Sequence, residues 1–172
     1  MDYHNRLLKL FTGIVQHYND EKYWKMRDYL QSYNGKANSL KALYYLYKVK
    51  KMDAYANAST GICLGTGSAV FETHPRLPHG LYGIIIAPGT RIGKNVRICQ
   101  QVTIGNDFRD KTHTPVIGDN VEIYPGAKIV GRVTIGNEAK IGANVVITED
   151  VPPRSTVVVN KPRIIIREES DE

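Results

Sequence analysis

Cysteine is nearly absent: Cys63 and Cys99 are the only two in the 172 residues. Two thiols cannot supply the dense disulfide framework of small secreted domains. Cys99 also sits inside a repeat, so the expectation is a reduced thiol pair in a cytoplasmic protein. Long apolar runs are missing as well. No stretch reaches the roughly 18 uncharged apolar residues of a transmembrane helix. The opening Met1-Asp-Tyr-His-Asn-Arg-Leu-Leu-Lys-Leu10 lacks a basic segment followed by a long apolar run, which speaks against a signal peptide. No membrane insertion is expected. Hydrophobic content of 42% is that of an ordinary soluble globular protein. The length suits one domain, or a compact domain with an appendage. A net charge of +6 is compatible with an anionic ligand such as a nucleotide cofactor, and equally with nucleic acid or no particular partner.

What is present divides the chain in two. Residues 1–57 read as a helical N-terminal segment. Leu7, Leu8, Leu10, Phe11, Ile14 and Val15 recur at three- and four-residue steps. Tyr23, Trp24, Met26, Tyr29 and Leu30 predict a second helix, closed by the Ser-Tyr-Asn-Gly turn at 32–35. A third runs from Leu40 to Val49, capped by Ser39 or Asn38. Its tail from Tyr44 to Lys51 mixes aromatic and basic residues. Helix period alone explains that spacing, so the reading is an amphipathic helix with aromatics packed inward and lysines solvated, not a membrane-surface or nucleic-acid patch. The acidic end, 167–172, reads as a solvated tail.

From residue 58 to 166 the texture changes to Gly, Thr, Ile and Val. Isoleucine then falls on every sixth residue: Ile86, Ile92, Ile98 and Ile104, and again Ile117, Ile123, Ile129, Ile135, Ile141 and Ile147. Four residues after each rung stands a small or β-branched residue (Thr90, Val96, Val102, Val121, Ala127, Val133, Ala139, Val145, Val151), with Phe108 the one departure. A period of six is a multiple of two and not of 3.6, so the rungs share one face of an extended chain and no face of a helix. Short repeats of this kind mark a parallel β-helix. Six residues per side and three sides make a coil of about 18, which stacks Ile86 on Ile104 and Ile123 on Ile141. Stacked strands lie about 4.8 Å apart, so the rungs fill the interior. Any site must therefore lie on the outer wall, at a loop or between subunits. Flat outer faces also favour self-association. Thirteen positions separate Ile104 from Ile117, where twelve would keep register, and the polar stretch 106–114 reads as a projecting loop. Two polar breaks remain as places for chemistry: Glu72-Thr-His-Pro-Arg-Leu-Pro-His79, and the loop bearing His113.

Three stretches, Leu77-Pro-His-Gly-Leu-Tyr-Gly-Ile-Ile-Ile86, the run Ile92 to Gly105 that includes Ile-Cys-Gln-Gln-Val-Thr-Ile-Gly, and Gly126-Ala-Lys-Ile-Val-Gly-Arg-Val-Thr-Ile-Gly136, resemble the hexapeptide-repeat acyltransferases. Among these the chain looks most like the serine acetyltransferase family and its short members, over roughly residues 60 to 166. The resemblance implies a left-handed parallel β-helix, a homotrimer, and acetyl-CoA as co-substrate lying between neighbouring coils. Crossover rules alone predict a right-handed connection, so the left hand comes only from the resemblance. It also implies roles. His79 matches the general base, and His113 the second active-site histidine. Gly105, Gly126, Ala127, Lys140 and Gly142 fall where the backbone lies along the pantetheine arm, and Lys161 and Arg163 where the closing segment approaches the nucleotide phosphates. Two positions depart from the family pattern. Pro78 stands where an aspartate holds the substrate amino group, and no aspartate occurs near Leu64 to orient the base, for which Glu72 is a candidate substitute. The resemblance thus carries acetylation of a small hydroxyl acceptor and leaves serine and a sugar of surface-polysaccharide synthesis both open.

The chemistry asks for little. A base must take the alcohol proton as its oxygen attacks the thioester, and histidine, titrating near neutrality, contributes about 10²- to 10⁴-fold in such a role. The oxyanion needs a donor, either a backbone N–H or His113 from an adjacent subunit. The thiolate takes back the proton. His74 is either structural or a substrate contact, while His4 and His17 read as helix-surface residues. Cys99 is better read as a filler beside a rung than as a nucleophile. His74, His79 and His113 also permit a three-histidine metal site of the trimeric carbonic anhydrase kind. There the close pair follows the distant histidine, and here it precedes, so no metal is expected. A non-catalytic assembly scaffold leaves the basic closing segment and the histidine loop unexplained.

Overall fold

The computed structural model describes residues 18–33, 40–63, 67–110 and 112–165. The helix predicted around Leu7 to Val15, His4 and His17, Asn34 and Gly35 of the turn, the Asn38 or Ser39 cap, Leu64 and the tail 167–172 lie outside the described residues. Helix α1 (Asp20–Gln31) starts where the side chain of Asn19 accepts the Lys22 N–H at 2.9 Å. That bond satisfies one of the orphan donors of the first turn, and Asp20 and Glu21 there favour the positive end of the helix. Its Tyr23, Trp24, Arg27 and Leu30 are buried on one face. Helix α2 (Leu40–Tyr55) runs past the expected end at Val49 and buries Ala42, Val49 and Asp53. The expectation that its aromatics pack inward is only partly met. Tyr45 and Leu46 lie against the core, but Tyr44 and Tyr47 are 54% and 59% exposed.

The rest is a mainly β, parallel solenoid. The first face stacks β1 (Ser59–Thr60), β3 (Ile85–Ile86), β6 (Thr103–Gly105), β9 (Lys128–Val130) and β12 (Val146–Ile147). The second stacks β2 (Val70–Phe71), β4 (Arg91–Ile92), β7 (Val116–Ile117) and β10 (Thr134–Ile135). The third stacks β5 (Arg97–Ile98), β8 (Glu122–Ile123), β11 (Lys140–Ile141) and β13 (Thr156–Val157). Ile86 stacks on Ile104 and Ile123 on Ile141, as the six-residue period predicts. Three interior columns result: Ile86–Ile104–Ile129–Ile147, Ile92–Ile117–Ile135 and Ile98–Ile123–Ile141–Val157. Every isoleucine in them is 4% exposed or less. Burying each contributes roughly 1.5–3 kcal/mol.

All nine residues that stand four after a rung are buried at the corners. The residue just before a corner takes a left-handed backbone, as at Asn95 (φ 54), Asn120 (φ 55) and Asn144 (φ 57). Asparagine tolerates that region better than other side chains, which explains its recurrence there.

The loop corrects the register argument. Ile117 occupies the rung directly after Ile104 in the circuit, because it pairs with Ile92 on the second face. The regular step is six and the observed one thirteen, so thirteen less six gives seven inserted residues. Pro115, buried, takes the corner place two before Ile117, and Phe108 is 94% exposed on the loop. At the far end, β13 is the last strand among the described residues, and the closing segment 158–165 runs exposed beyond it.

The helices close the first coil. Arg27, fully buried, donates through Nη2 to the Thr60 and Ala69 carbonyls at 2.8 and 2.9 Å and lies 4.2 Å over the Phe71 ring. The Tyr23 hydroxyl donates to Asp53 Oδ1 at 2.7 Å and meets Thr60 Oγ1 at 2.6 Å. Burial lowers the Arg27 pKa to about 10, against the pull of Tyr23 and Asp53. Burial likewise raises the Asp53 carboxyl, and among the described residues its Oδ2 has no hydrogen-bond partner.

Candidate active site

His79 lies on the exposed turn that carries the chain from the third face into β3. The turn is held by Gly80 N–H to Leu77 O (3.1 Å), Gly83 N–H to Ala56 O (2.9 Å) and Ile84 N–H to Leu81 O (3.0 Å). Gly80 and Gly83 have φ of +63 and +65, a bend that lifts the histidine clear of the stack. Among the described residues the His79 imidazole makes no hydrogen bond or ion pair, which leaves it available to a ligand. Tyr18 borders this turn: a Cβ on Gly80 would meet its ring at 3.7 Å. Burial and the 2.7 Å bond to Asp20 push the Tyr18 hydroxyl well above its usual range, so it stays a donor. No periodicity marks Tyr18, and sequence reasoning missed it.

His113 stands on the inserted loop, after β6 and before β7. Its Nδ1 is 3.4 Å from Asp107 Oδ2. Asp107 is itself placed by the Arg109 N–H, which donates to its Oδ1 at 3.1 Å, and it rests against Gly131. Burial pushes the Asp107 carboxyl up, but the Arg109 N–H, His113 and the Asp110 N–H outweigh it and hold the group below the usual carboxylate range. Asp110 is also held low, by the Thr112 N–H at 2.7 Å and hydroxyl at 2.8 Å. Asp107 was the carboxylate to look for. The signal was its position six before His113, bridging an inserted loop.

Glu72 points elsewhere. Its carboxylate is 4.0 Å from Lys94 Nζ and makes no bond to His79. His74 is structural in its contacts, stacked on Trp24 at 5.0 Å with Nε2 2.9 Å from Asp28. Among the described residues no three His, Cys, Asp or Glu side chains are grouped to hold a metal. His79 and His113 are not brought together within the chain. One lies on the turn that leads into β3 and the other on the loop that follows β6, at opposite strand ends of the first face.

The outer wall fits an extended ligand in part. A Cβ on Gly105 would meet nothing within 4 Å, so the wall is open there. Gly126 and Gly142 are glycine for reasons inside the coil: a Cβ would collide with the Asn144 side chain or lie 2.8 Å from Val157 O. Ala127 is fully enclosed, with its N–H bonded to Tyr124 O and its carbonyl to Thr103 N–H, so it can only shape the wall. Lys140, Lys161 and Arg163 are exposed cations on β11 and the closing segment.

Comparison with known proteins agrees with the repeat. Residues 114–149 match the family model described as bacterial transferase hexapeptide (six repeats). A serine acetyltransferase of Helicobacter pylori is 32% identical over 134 residues, which make up 77% of this chain and 77% of that protein. The chain belongs to the serine acetyltransferase family of hexapeptide acyltransferases. Another relative, the serine acetyltransferase of Staphylococcus xylosus, is 48% identical over 123 residues but is covered over only 55% of its length. The crystal structure of Neisseria gonorrhoeae serine acetyltransferase in complex with serine superposes with a TM-score of 0.57 at 30% identity, covering 70% of this chain and 48% of that one. The chain thus spans only about half the length of several serine acetyltransferases that it matches.

Proposed function

We propose that the chain transfers the acetyl group of acetyl-CoA to the hydroxyl of L-serine, with His79 as the general base. The observation that carries this reading is a histidine on a hydrogen-bonded turn, without a polar partner among the described residues, at the break that directly precedes the ladder. His79 takes the hydroxyl proton as the serine oxygen attacks the thioester carbonyl. The tetrahedral oxyanion is met by an N–H donor, for which His113 is a candidate once Asp107 has oriented its ring. Collapse breaks the C–S bond, and the departing thiolate recovers the proton from His79. The two histidines stand at opposite strand ends of one face, so a site that uses both takes them from two chains. That supports a trimer with its sites at the subunit boundaries. Open wall at Gly105 supports a place for the pantetheine arm, and Lys161 and Arg163 supply positive charge for phosphates.

Replacement of His79 by alanine is expected to lower turnover by about 10²- to 10⁴-fold while leaving the KM for acetyl-CoA and the fold intact. Unchanged turnover would remove His79 from the mechanism. A second acceptor class is favoured by one feature. Pro78 offers no carboxylate for a substrate ammonium beside the base, which suits a sugar hydroxyl. Thiol release measured with L-serine beside nucleotide-sugar acceptors separates the two.

A further inference from the structure

Helix α2 has two apolar faces, and among the described residues only one packs against the core. Ala42, Val49 and Asp53 turn inward. Opposite them, Leu40, Leu43, Tyr44 and Tyr47 follow at three- and four-residue steps and are between 45% and 84% exposed. Lys51 lies within this stripe. Lys41 and Lys48 border it on one side and Lys50 on the other, while the helix's one carboxylate, Asp53, is buried. The ammonium groups reach over the rings: Lys48 Nζ is 5.5 Å from the Tyr44 centroid, and Lys51 Nζ is 6.0 and 5.9 Å from those of Tyr47 and Tyr55.

We infer that this face adsorbs to an anionic lipid surface. Tyrosine places a ring at the acyl boundary and its hydroxyl among headgroups, and lysine extends its charge from an apolar stem. A helix lying in the interface plane uses this division, with cations flanking a leucine and aromatic stripe. Charge decides against the alternative of a second copy. Two such faces apposed would bring lysines against lysines with no exposed carboxylate of α2 between them. Acidic headgroups meet the same four lysines with opposite sign. The mode is peripheral, since among the described residues no helix is long and apolar enough to cross a membrane.

Co-sedimentation of the full chain with vesicles tests the inference. Binding is expected to phosphatidylcholine mixed with phosphatidylglycerol in equal parts, not to phosphatidylcholine alone, and to weaken with added salt. Lys48→Ala with Lys51→Ala is expected to lower the partition coefficient on the order of thirtyfold, at about fivefold for each lysine. Tyr44→Ser with Tyr47→Ser should weaken it at unchanged charge, whereas Lys22→Ala with Lys25→Ala on α1 should leave it near the parent value. All these positions except part-buried Lys48 are exposed, and circular dichroism checks that the helices persist. The inference is overturned by equal binding to both vesicle types, by no binding, or by equal loss in the α1 variant. It is also overturned if the α2 substitutions change the oligomeric state instead of vesicle binding, which would make the face a contact between chains.

Discussion

Asp107 shows how a single carboxylate can orient a neighbouring ring on a loop. Its Oδ2 is 3.4 Å from His113 Nδ1, and its other oxygen is tied to the Arg109 N–H. A ring held through Nδ1 presents Nε2 outward. Replacement of Asp107 by asparagine removes the charge that favours this orientation. The contact is long, so the expected loss is about three- to tenfold in kcat, with the KM for acetyl-CoA little changed. Asp107→Glu should recover part of it. The linkage sign is that of a depressed carboxylate: the stabilisation of the loop is full above the ordinary carboxylate range and is lost as pH falls through the lower folded value. A fall in KM and kcat together, with no rescue, would mean the residue only holds the loop.

At the scale of elements, the junction of α1, α2 and the first coil is polar and buried. Arg27 donates to the carbonyls of Thr60 and Ala69 at the first coil of the solenoid, and Asp53 accepts from the Tyr23 hydroxyl, its second oxygen without a partner among the described residues. Because the Asp53 carboxyl is raised in the folded state, folding takes up a proton in the window between its ordinary and raised values. Stability therefore falls as pH rises through that window. In Asp53→Asn this part of the dependence should vanish, read as a flatter pH profile of the urea midpoint. Parallel profiles in the two proteins would rule Asp53 out as the source.

This junction also marks where the sequence stopped being legible. The isoleucine period gave the strands, the stacking partners and the corners, because burial at every sixth position leaves the chain no other regular form. His79 and His113 were singled out as candidates because they stand where it breaks. Arg27, Tyr18 and Asp107 were not, since each acts through a partner far along the chain or across a loop, and spacing carries no record of such pairs. The aromatics of α2 misled for a related reason. Tyr44 and Tyr45 read alike in a pattern, yet one faces the core and the other solvent.

At the scale of the whole molecule, the placement of the two histidines makes an assembly experiment decisive. If the proposed trimer draws one histidine of each site from each of two chains, His79→Ala and His113→Ala variants, each expected to be impaired alone, should regain roughly a quarter of full turnover when unfolded together and refolded as mixed trimers. No recovery in verified mixed trimers would place both histidines in the same chain's site. The solenoid itself should be sensitive anywhere along its columns: Ile123→Ala removes a fully buried side chain between Ile98 and Ile141 and is expected to cost about 2–5 kcal/mol by denaturant unfolding.

The seven-residue insertion returns the chain to the same corner it left, with Pro115 and Ile117 resuming the column begun by Ile92. The solenoid thus behaves as a frame with one detachable side. Residues 106–114 can lengthen, shorten or change chemistry without altering a single rung. In a molecule of this build, the chemistry of that segment can diverge while the solenoid that carries it stays constant.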